Sequence, residues 1–547
     1  MAEINGGRLA AKQLKPAGID TIFTVAAGPM VQVLIGAVEE GIKVVNCRHD
    51  LSAANAASAW GWVQKKPGVV VLGSGPGTTN GVTGLYVATD SAMPLVVLGG
   101  SVGTGSGGLG AFQETDQVRF AAPGSKWATR IGSVRQMPDL MHLALGKSIS
   151  GRPGGVYLDF PGHMVSETIE DGSIPLRTML PEVTAPHPDP RSVEKVAEML
   201  ASAERPLILV GKGAAWSDAS EPLRRLVDRG IPFVASPMGR GTIPDDHEMS
   251  MSAARNNAIR GADVVLMVGG KFNWMFQQGM NLAKDVRVAQ IDIEPEEMYS
   301  IVDVELGIVA DCAVAVDQIE QALRGRTLKS SSNDWASSLK ETAAKNSASL
   351  EEEMLSDASP INHHRLVADV RDVVDRDAFI IEEGEVTMGI MRQLMPTFLP
   401  RRRLGAGSTG CMGVGFPYAV GAKLAHPEAQ VVAVLGDYAF GAAAMEIETC
   451  ARLGINVVVV VSNNAGISAH TMQARFPADA PPVGAMIPAD YEKMAEMVGA
   501  YSERVTEPGD IKPAIQRALA SNSVAIVNVL TDPDAGKGRR APRTMYI

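Results

Sequence analysis

An α/β protein of three domains, each a parallel sheet flanked by helices, is the fold class this sequence predicts. Three observations carry the prediction. The chain has 547 residues, well beyond one hydrophobic core. Short β-branched runs ending in glycine alternate with alanine-rich helical stretches, the pattern of sheets covered on both faces. Two polar stretches, LPEVTAPHPDPRS (180–192) and KSSSNDWASSLKETAAKNSASLEEEM (329–354), read as linkers, the second with a composition that a helix also tolerates, and divide the chain into thirds.

In the first third (1–179), TIFTVAAG, KVVNC, GVVVLGSGPG and PLVVLGG read as strands, and VQVLIGAVEE and LSAANAASAWGWV as helices. The second unit (188–328) repeats the pattern with PLILVGKGAAW, IPFVASPMG, ADVVLMVGGKFNW and VRVAQIDIEPEE. The third (355–535) contributes AFIIEEGEV, QVVAVLGD, NVVVVVSNN and VAIVNVLTD, and a basic tail closes the chain at 536–547. No short-period repeat is visible.

Composition narrows the function classes. Hydrophobic residues make up 46% and charged residues 20%, as in an ordinary globular protein. A formal charge of −11 argues against nucleic acid or an anionic membrane as a partner held by bulk attraction. No apolar run approaches ~20 residues, so no membrane span is expected. MAEINGGRLAAKQL lacks the apolar core of a signal peptide. Cys47, Cys312, Cys411 and Cys450 are far apart without CxxC spacing, which predicts reduced thiols, a cytoplasmic location and no zinc site.

Chemistry concentrates in GDYAFGAAAMEIETCARLGINVVVVVSNNAG (436–466). Ligands of an open parallel sheet bind beyond the carboxyl ends of its strands. Asp437 ends one apolar run and Asn464 another, so neighbouring strands would face both oxygens to one site. One carboxylate, one amide and a carbonyl make a weak cage for Ca²⁺; they suit Mg²⁺, which takes further ligands from water and substrate phosphates. A helix expected near Ala439 would point its N–H groups at a phosphate. Taken singly, Asp437 reads as a helix N-cap and Asn463-Asn464 as a turn; their combination favours the metal. Two glycine-rich stretches are decoys. Gly405–Gly410 fits G-x-G-x-x-G but follows RRRL, and GSGPGTTNG lacks a P-loop lysine.

Gly436-Asp437 followed by Asn463-Asn464 resembles the diphosphate–metal signature of thiamine-diphosphate enzymes. RHDLSAANAASAWG and GSGPGTTNGVTGLYVATDSAMPLVVLGG resemble that family's pyrimidine-binding domain, and RRRLGAGSTGCMGVGFPYAVGAKLA the segment that holds the bent cofactor. The resemblance implies pyrimidine-binding, middle and diphosphate-binding domains, with thiamine diphosphate and Mg²⁺ as cofactors. It implies active sites built between subunits, hence a homodimer at minimum and a homotetramer as the expected assembly. By analogy Asp437, Asn464 and the Gly466 carbonyl bind the metal. Gly384, Gly436, Tyr438 and Ala439 would cradle the diphosphate, with Pro29 and Ile467 also at the cofactor. Met412 would be the wedge beneath it, and the Gly410 carbonyl the partner of its amino group.

Within the family, the GDYAFG…MEIET…NNAGI run is closest to 2-hydroxyacyl-CoA lyases and oxalyl-CoA decarboxylases, whose middle domain holds coenzyme A. The resemblance carries CoA contacts onto Arg255, Asn273 and Trp274, and onto Arg539, Arg540 and Arg543 of a tail that closes over the nucleotide. Phe112-Gln113-Glu114 resembles the FQE of the lyases and of acetolactate synthases, where oxalyl-CoA decarboxylases carry a Tyr-Glu pair; its plain structural alternative is an amphipathic turn around a buried phenylalanine. Phe112, Gln113, Asp50 and Ser468 are thus the expected catalytic positions, and acyl-CoA and small carbonyl compounds the expected substrates. Asp50 departs from the family glutamate that meets the pyrimidine N1′. One methylene fewer retracts the carboxylate by roughly 1.5 Å, and slips of about 1 Å can cost on the order of 10²-fold in rate. Asp50 also suits a helix N-cap. Asn55, Ser468 and Glu385-Val386 are further departures. The expected reaction is reversible cleavage of 2-hydroxyacyl-CoA to an aldehyde or ketone plus formyl-CoA. Oxalyl-CoA decarboxylation, an acetolactate-synthase- or benzaldehyde-lyase-like carboligation without CoA, and a catalytically weak cofactor-binding role stay open.

Overall fold

The computed structural model describes residues 2–178, 180–467 and 472–534. Three parallel sheets with helices on their faces follow one another along the chain. The first runs, in spatial order, Lys43–Asn46, Thr21–Thr24, Gly68–Leu72, Leu95–Ser101, Gly155–Pro161, Trp127–Arg130. The third runs Arg403–Gly405, Phe379–Glu383, Val431–Gly436, Val458–Asn463, Ala525–Leu530, Tyr501–Val505. Counted within each unit, both have the order 2-1-3-4-6-5, so the outer domains share one topology. The middle sheet, Phe233–Ala235, Pro206–Val210, Val264–Val268, Arg287–Asp292, Val304–Val309, has the doubly wound order 2-1-3-4-5.

The outer domains are fused through two helices, Asp50–Gln64 and Gly415–Ala425, whose residues belong to one continuous core. Almost every residue of Asp50–Gln64 is buried, which explains why its sequence is small and apolar all round. The axes approach closely because Gly421 has no side chain; a Cβ there would lie 2.3 Å from the Ala56 carbonyl oxygen.

The polar stretch 329–354 is not a free linker. It forms the helices Trp335–Ala348 and Glu351–Met354, and the Trp335 indole donates to the Pro206 carbonyl at 3.0 Å, docking the first helix on the middle domain. A short strand, Arg403–Gly405, does precede Gly405–Gly410, yet the following helix opens only at Gly415. No helix among the described residues is long and apolar enough to cross a membrane.

Candidate active site

Strand Val431–Gly436 pairs with Val458–Asn463, Gly436 opposite Ser462, so the two sequence signals do end side by side. Asp437 opens the helix Asp437–Gly441, and one carboxylate oxygen accepts the Tyr438 N–H at 2.8 Å. Its other oxygen accepts the Gly466 N–H at 3.1 Å, and Asn464 Oδ1 accepts the same N–H at 3.2 Å. Asn463 turns away and bonds Asn528 and the Ala489 carbonyl, a structural role. Burial pushes the Asp437 carboxyl up to about 6, so it sits in a place that favours a compensating cation. Among the described residues no group of three His, Cys, Asp or Glu side chains is placed to hold a metal. A carboxylate and an amide oxygen converging on one point fit Mg²⁺ completed by diphosphate oxygens.

The wall opposite is Gly384, at the end of the neighbouring strand Phe379–Glu383. It has φ +102°, and a Cβ would stand 3.1 Å from the Gly436 nitrogen, so only glycine fits this strand end. Ala439 is buried, Gly436 and Ile467 are half-buried, and Tyr438 is 44% exposed. Gly410 has φ +59° with open space where a side chain would be, and Met412 beside it is 40% exposed.

The pyrimidine-side candidates lie at the carboxyl edge of the first sheet. Pro29 follows strand Thr21–Thr24 in the turn Gly28–Met30, packed near Gly100. Asp50 is buried, and its carboxylate accepts from Asn80 Nδ2 at 3.3 Å; burial raises its pKa. Asp50 does not cap its helix. His49 is the cap, its imidazole accepting the Leu51 N–H at 3.2 Å, and Asp50 is the first helical residue. Asn55 is fully buried, and neither end of its amide has a hydrogen-bond partner. Phe112 is not the buried centre of a turn: it is 86% exposed. Glu114 causes this, because its carboxylate collects the N–H groups of Gly108, Gly110 and Ala111 and tightens the loop beneath Phe112. Gln113 adopts φ +60°, with its side-chain oxygen accepting from the Ser74 hydroxyl at 2.7 Å. Behind the loop, Gln117 bonds the Gly75 N–H, the Gly100 carbonyl, Tyr157 and Asp159, an anchor that sequence reading missed. Ser468, Arg539, Arg540, Arg543 and the rest of the tail lie outside the described residues.

The middle sheet opens at its switch point into a cavity of about 710 Å³ walled by all three domains. Asn273 lines it; Arg255 and Trp274 do not. Trp274 donates its indole N–H to the Ser408 carbonyl at 3.0 Å, bridging the middle and third domains. Arg255 donates to the Met275 carbonyl at 2.6 Å and lies over the Phe276 ring. Sequence reading overlooked the cations Lys212, Lys271, Arg152 and Arg392. The signal for Lys212 and Lys271 was present, since GKG and GGK follow apolar strands. Lys212 is tied to the Ser91 carbonyl and sits 4.1 Å from the Trp62 ring centroid; Lys271 pairs with Glu297 at 2.5 Å. Arg392 differs. It lies over the Trp274 ring, and its Nε has no partner. Nearby Arg240 pairs with Asp245 and Arg403 with Glu382, but Arg255 and Arg392 carry no ion pair among the described residues. Burial, with Arg392 and Arg240 nearby, pushes Arg255 down to about 10; burial lowers Arg392 as well.

A three-sheet α/β molecule with a metal-ready carboxylate–amide pair at the carboxyl ends of neighbouring strands defines a class of diphosphate-binding enzymes. Family models place it more closely. The thiamine pyrophosphate enzyme N-terminal TPP binding domain matches residues 4–120, the central domain 193–319, and the C-terminal TPP binding domain 383–529. The chain is 35% identical over 541 residues to oxalyl-CoA decarboxylase of Escherichia coli (strain K12), covering 97% of this chain and 96% of that protein. It is 34% identical over 554 residues to 2-hydroxyacyl-CoA lyase of Arabidopsis thaliana, covering 97% and 96%. It is also 34% identical over 545 residues to the acetolactate synthase large subunit of Mycobacterium tuberculosis, covering 98% of each. The chain belongs to the thiamine pyrophosphate enzyme family, and thiamine diphosphate is its cofactor.

Proposed function

We propose that this protein is a carbon–carbon lyase that cleaves 2-hydroxyacyl-CoA to an aldehyde or ketone and formyl-CoA, and runs the reverse carboligation. The observation that carries the CoA reading is Arg392, which lines the central cavity together with Asn273, with Arg255 close behind it. Arg392 joins no ion pair among the described residues, with Glu382 near but bound to Arg403, and a largely buried guanidinium is costly unless an anion joins it. The diphosphate and 3′-phosphate of CoA are such anions, with geometry suited to arginine. Relatives named for CoA thioesters, the decarboxylase and the lyase, support the same class.

Thiamine diphosphate supplies the electron sink for breaking the bond next to the thioester carbonyl. In this reading Asp437, Asn464 and the Gly466 carbonyl hold Mg²⁺ against the diphosphate. Gly384 and the first N–H groups of helix Asp437–Gly441 receive the phosphate oxygens. Asp50 holds a proton close to the pyrimidine nitrogen, steadied by Asn80. Phe112 and Gln113 reach the substrate from a second copy of the chain, which also covers the exposed Phe112, Met412 and Tyr438. A homodimer is therefore the minimal unit, with a dimer of dimers as the proposed assembly.

A panel of acyl-CoA substrates read by mass spectrometry tests the proposal. Formyl-CoA released from lactyl-CoA or 2-hydroxyisobutyryl-CoA is the expected result. CO₂ from oxalyl-CoA would replace the lyase by a decarboxylase that uses the same arginine. Acetolactate or acetoin formed without CoA would overturn the CoA reading, and the relative from Mycobacterium tuberculosis makes that outcome worth measuring.

A further inference from the structure

Glu383 ends strand Phe379–Glu383 directly before Gly384 and is 2% exposed. Unlike Glu382, which pairs with Arg403, it bonds to backbone. One oxygen accepts the N–H of Gly413 and the other the N–H of Gly415, both at 2.6 Å. These are the residues that follow Met412. Gly413 adopts φ +80°, and Gly415 opens the helix Gly415–Ala425. A Cβ at Gly415 would come 2.5 Å from Leu435 Cδ2 and 2.8 Å from the Glu383 carboxylate, so only glycine fits between them. A carboxylate at a helix start satisfies orphan N–H groups and lies at the positive end of the helix dipole. Once Glu383 is ionised, at pH above about 7, these are charge-assisted bonds, roughly twice as strong as neutral ones. The chain just after Met412 is thereby pinned, while the Met412 side chain stays 40% exposed.

We infer that Glu383 is a positioning residue: it clamps Gly413 and Gly415 and so sets the direction in which Met412 meets the thiamine cofactor. The inference rests on the assignment of Met412 as the wedge under that cofactor. A purely structural cap would move stability alone. A clamp acting through Met412 must move cofactor affinity, and must do so only while Met412 is present.

The test compares the full-length protein with its Glu383→Gln, Met412→Ala and doubly substituted forms. Thiamine diphosphate affinity is measured by calorimetry with Mg²⁺, beside the melting temperature of the cofactor-free protein. In Glu383→Gln the amide turns a donor toward a backbone donor, so affinity should fall roughly 10-fold, the loss of one bond to a charged group. Met412→Ala should weaken binding comparably, and the double variant should bind no worse than Met412→Ala. Effects that multiply in the double variant would overturn the inference, as would a Glu383→Gln protein with a lower melting temperature and unaltered affinity. Unaltered affinity in Met412→Ala would remove the wedge assignment itself, and the inference with it. Glu383→Asp keeps the charge but retracts it from both N–H groups and should reproduce the Glu383→Gln pattern, which keeps the test decisive if the glutamine variant fails to fold.

Discussion

Asp437 and Asn464 direct side-chain oxygens at one backbone N–H, that of Gly466, from 3.1 Å and 3.2 Å. Parallel pairing of their strands creates this relationship. A single carboxylate and a single amide hold Mg²⁺ only together with diphosphate oxygens, so metal and cofactor should bind as one unit. Asp437→Ala is expected to abolish tight binding of both. Calorimetry showing tight thiamine diphosphate binding by that variant would remove the metal assignment.

Asp50→Glu should raise turnover, since the longer side chain reaches further toward the pyrimidine and proton positioning typically contributes ~10²–10⁴-fold. His49 caps the helix, so the melting temperature should hardly change. Gly77 leaves room beside the carboxylate, since even an added Cβ there would stand at an ordinary contact distance of 3.4 Å from Asp50 Oδ1. Steady-state kinetics decide. Unchanged or lower turnover would mean that the site, with Asn80 bound to the carboxylate, is built for aspartate.

Arg392→Met should raise the Michaelis constant for acyl-CoA at least 10-fold, the value of one charge-assisted phosphate contact. Thiamine diphosphate affinity should stay as it was. The melting temperature should hold or rise, because an unpaired buried charge is replaced by an apolar chain. Arg255→Met, one layer behind the cavity wall, should have a smaller effect on the same constant. A thermal loss with unchanged acyl-CoA kinetics in Arg392→Met would make that arginine structural and withdraw the CoA site.

Burial raises the Glu383 carboxyl from 4.5 to about 7, and Cys411 and Tyr418 beside it are raised too, so neither adds charge across this range. A carboxyl raised on folding contributes stability that is present below about 4.5 and is lost as pH rises through about 7. Glutamine does not ionise. The stability difference between Glu383→Gln and the parent should therefore move in the variant's favour over that window, by at most about 3 kcal/mol. Denaturant unfolding at several pH values measures it; a difference that stays flat with pH would show that Glu383 is not the titrating group.

Much of the fold was legible because its signals are local. Strands such as Val431–Gly436 and Val458–Asn463 are uninterrupted β-branched runs, and their terminal glycine or asparagine marks where ligands gather. The metal pair was legible for the same reason, since each member follows its strand directly. Asp50 was found by motif, but its capping role was misjudged, because His49 is chemically able to fill the same position one residue earlier. Phe112 was singled out as a catalytic position, with a buried turn as the alternative, and its 86% exposure removes that alternative. Only the Glu114 carboxylate, which gathers three backbone N–H groups, shows why it points outward.

The sequence by itself determined three α/β units, the cofactor family and the strand ends where chemistry sits, because periodicity, glycine and motif spacing are properties of neighbouring residues. Tertiary structure alone decided the rest. It set Gly421 against Ala56, Glu383 against the Gly413 and Gly415 N–H groups, and Arg392 over Trp274 with no ion pair among the described residues. Whether a buried charge finds a partner depends on which distant segments pack together, and packing is a sum over the whole chain that no local pattern encodes.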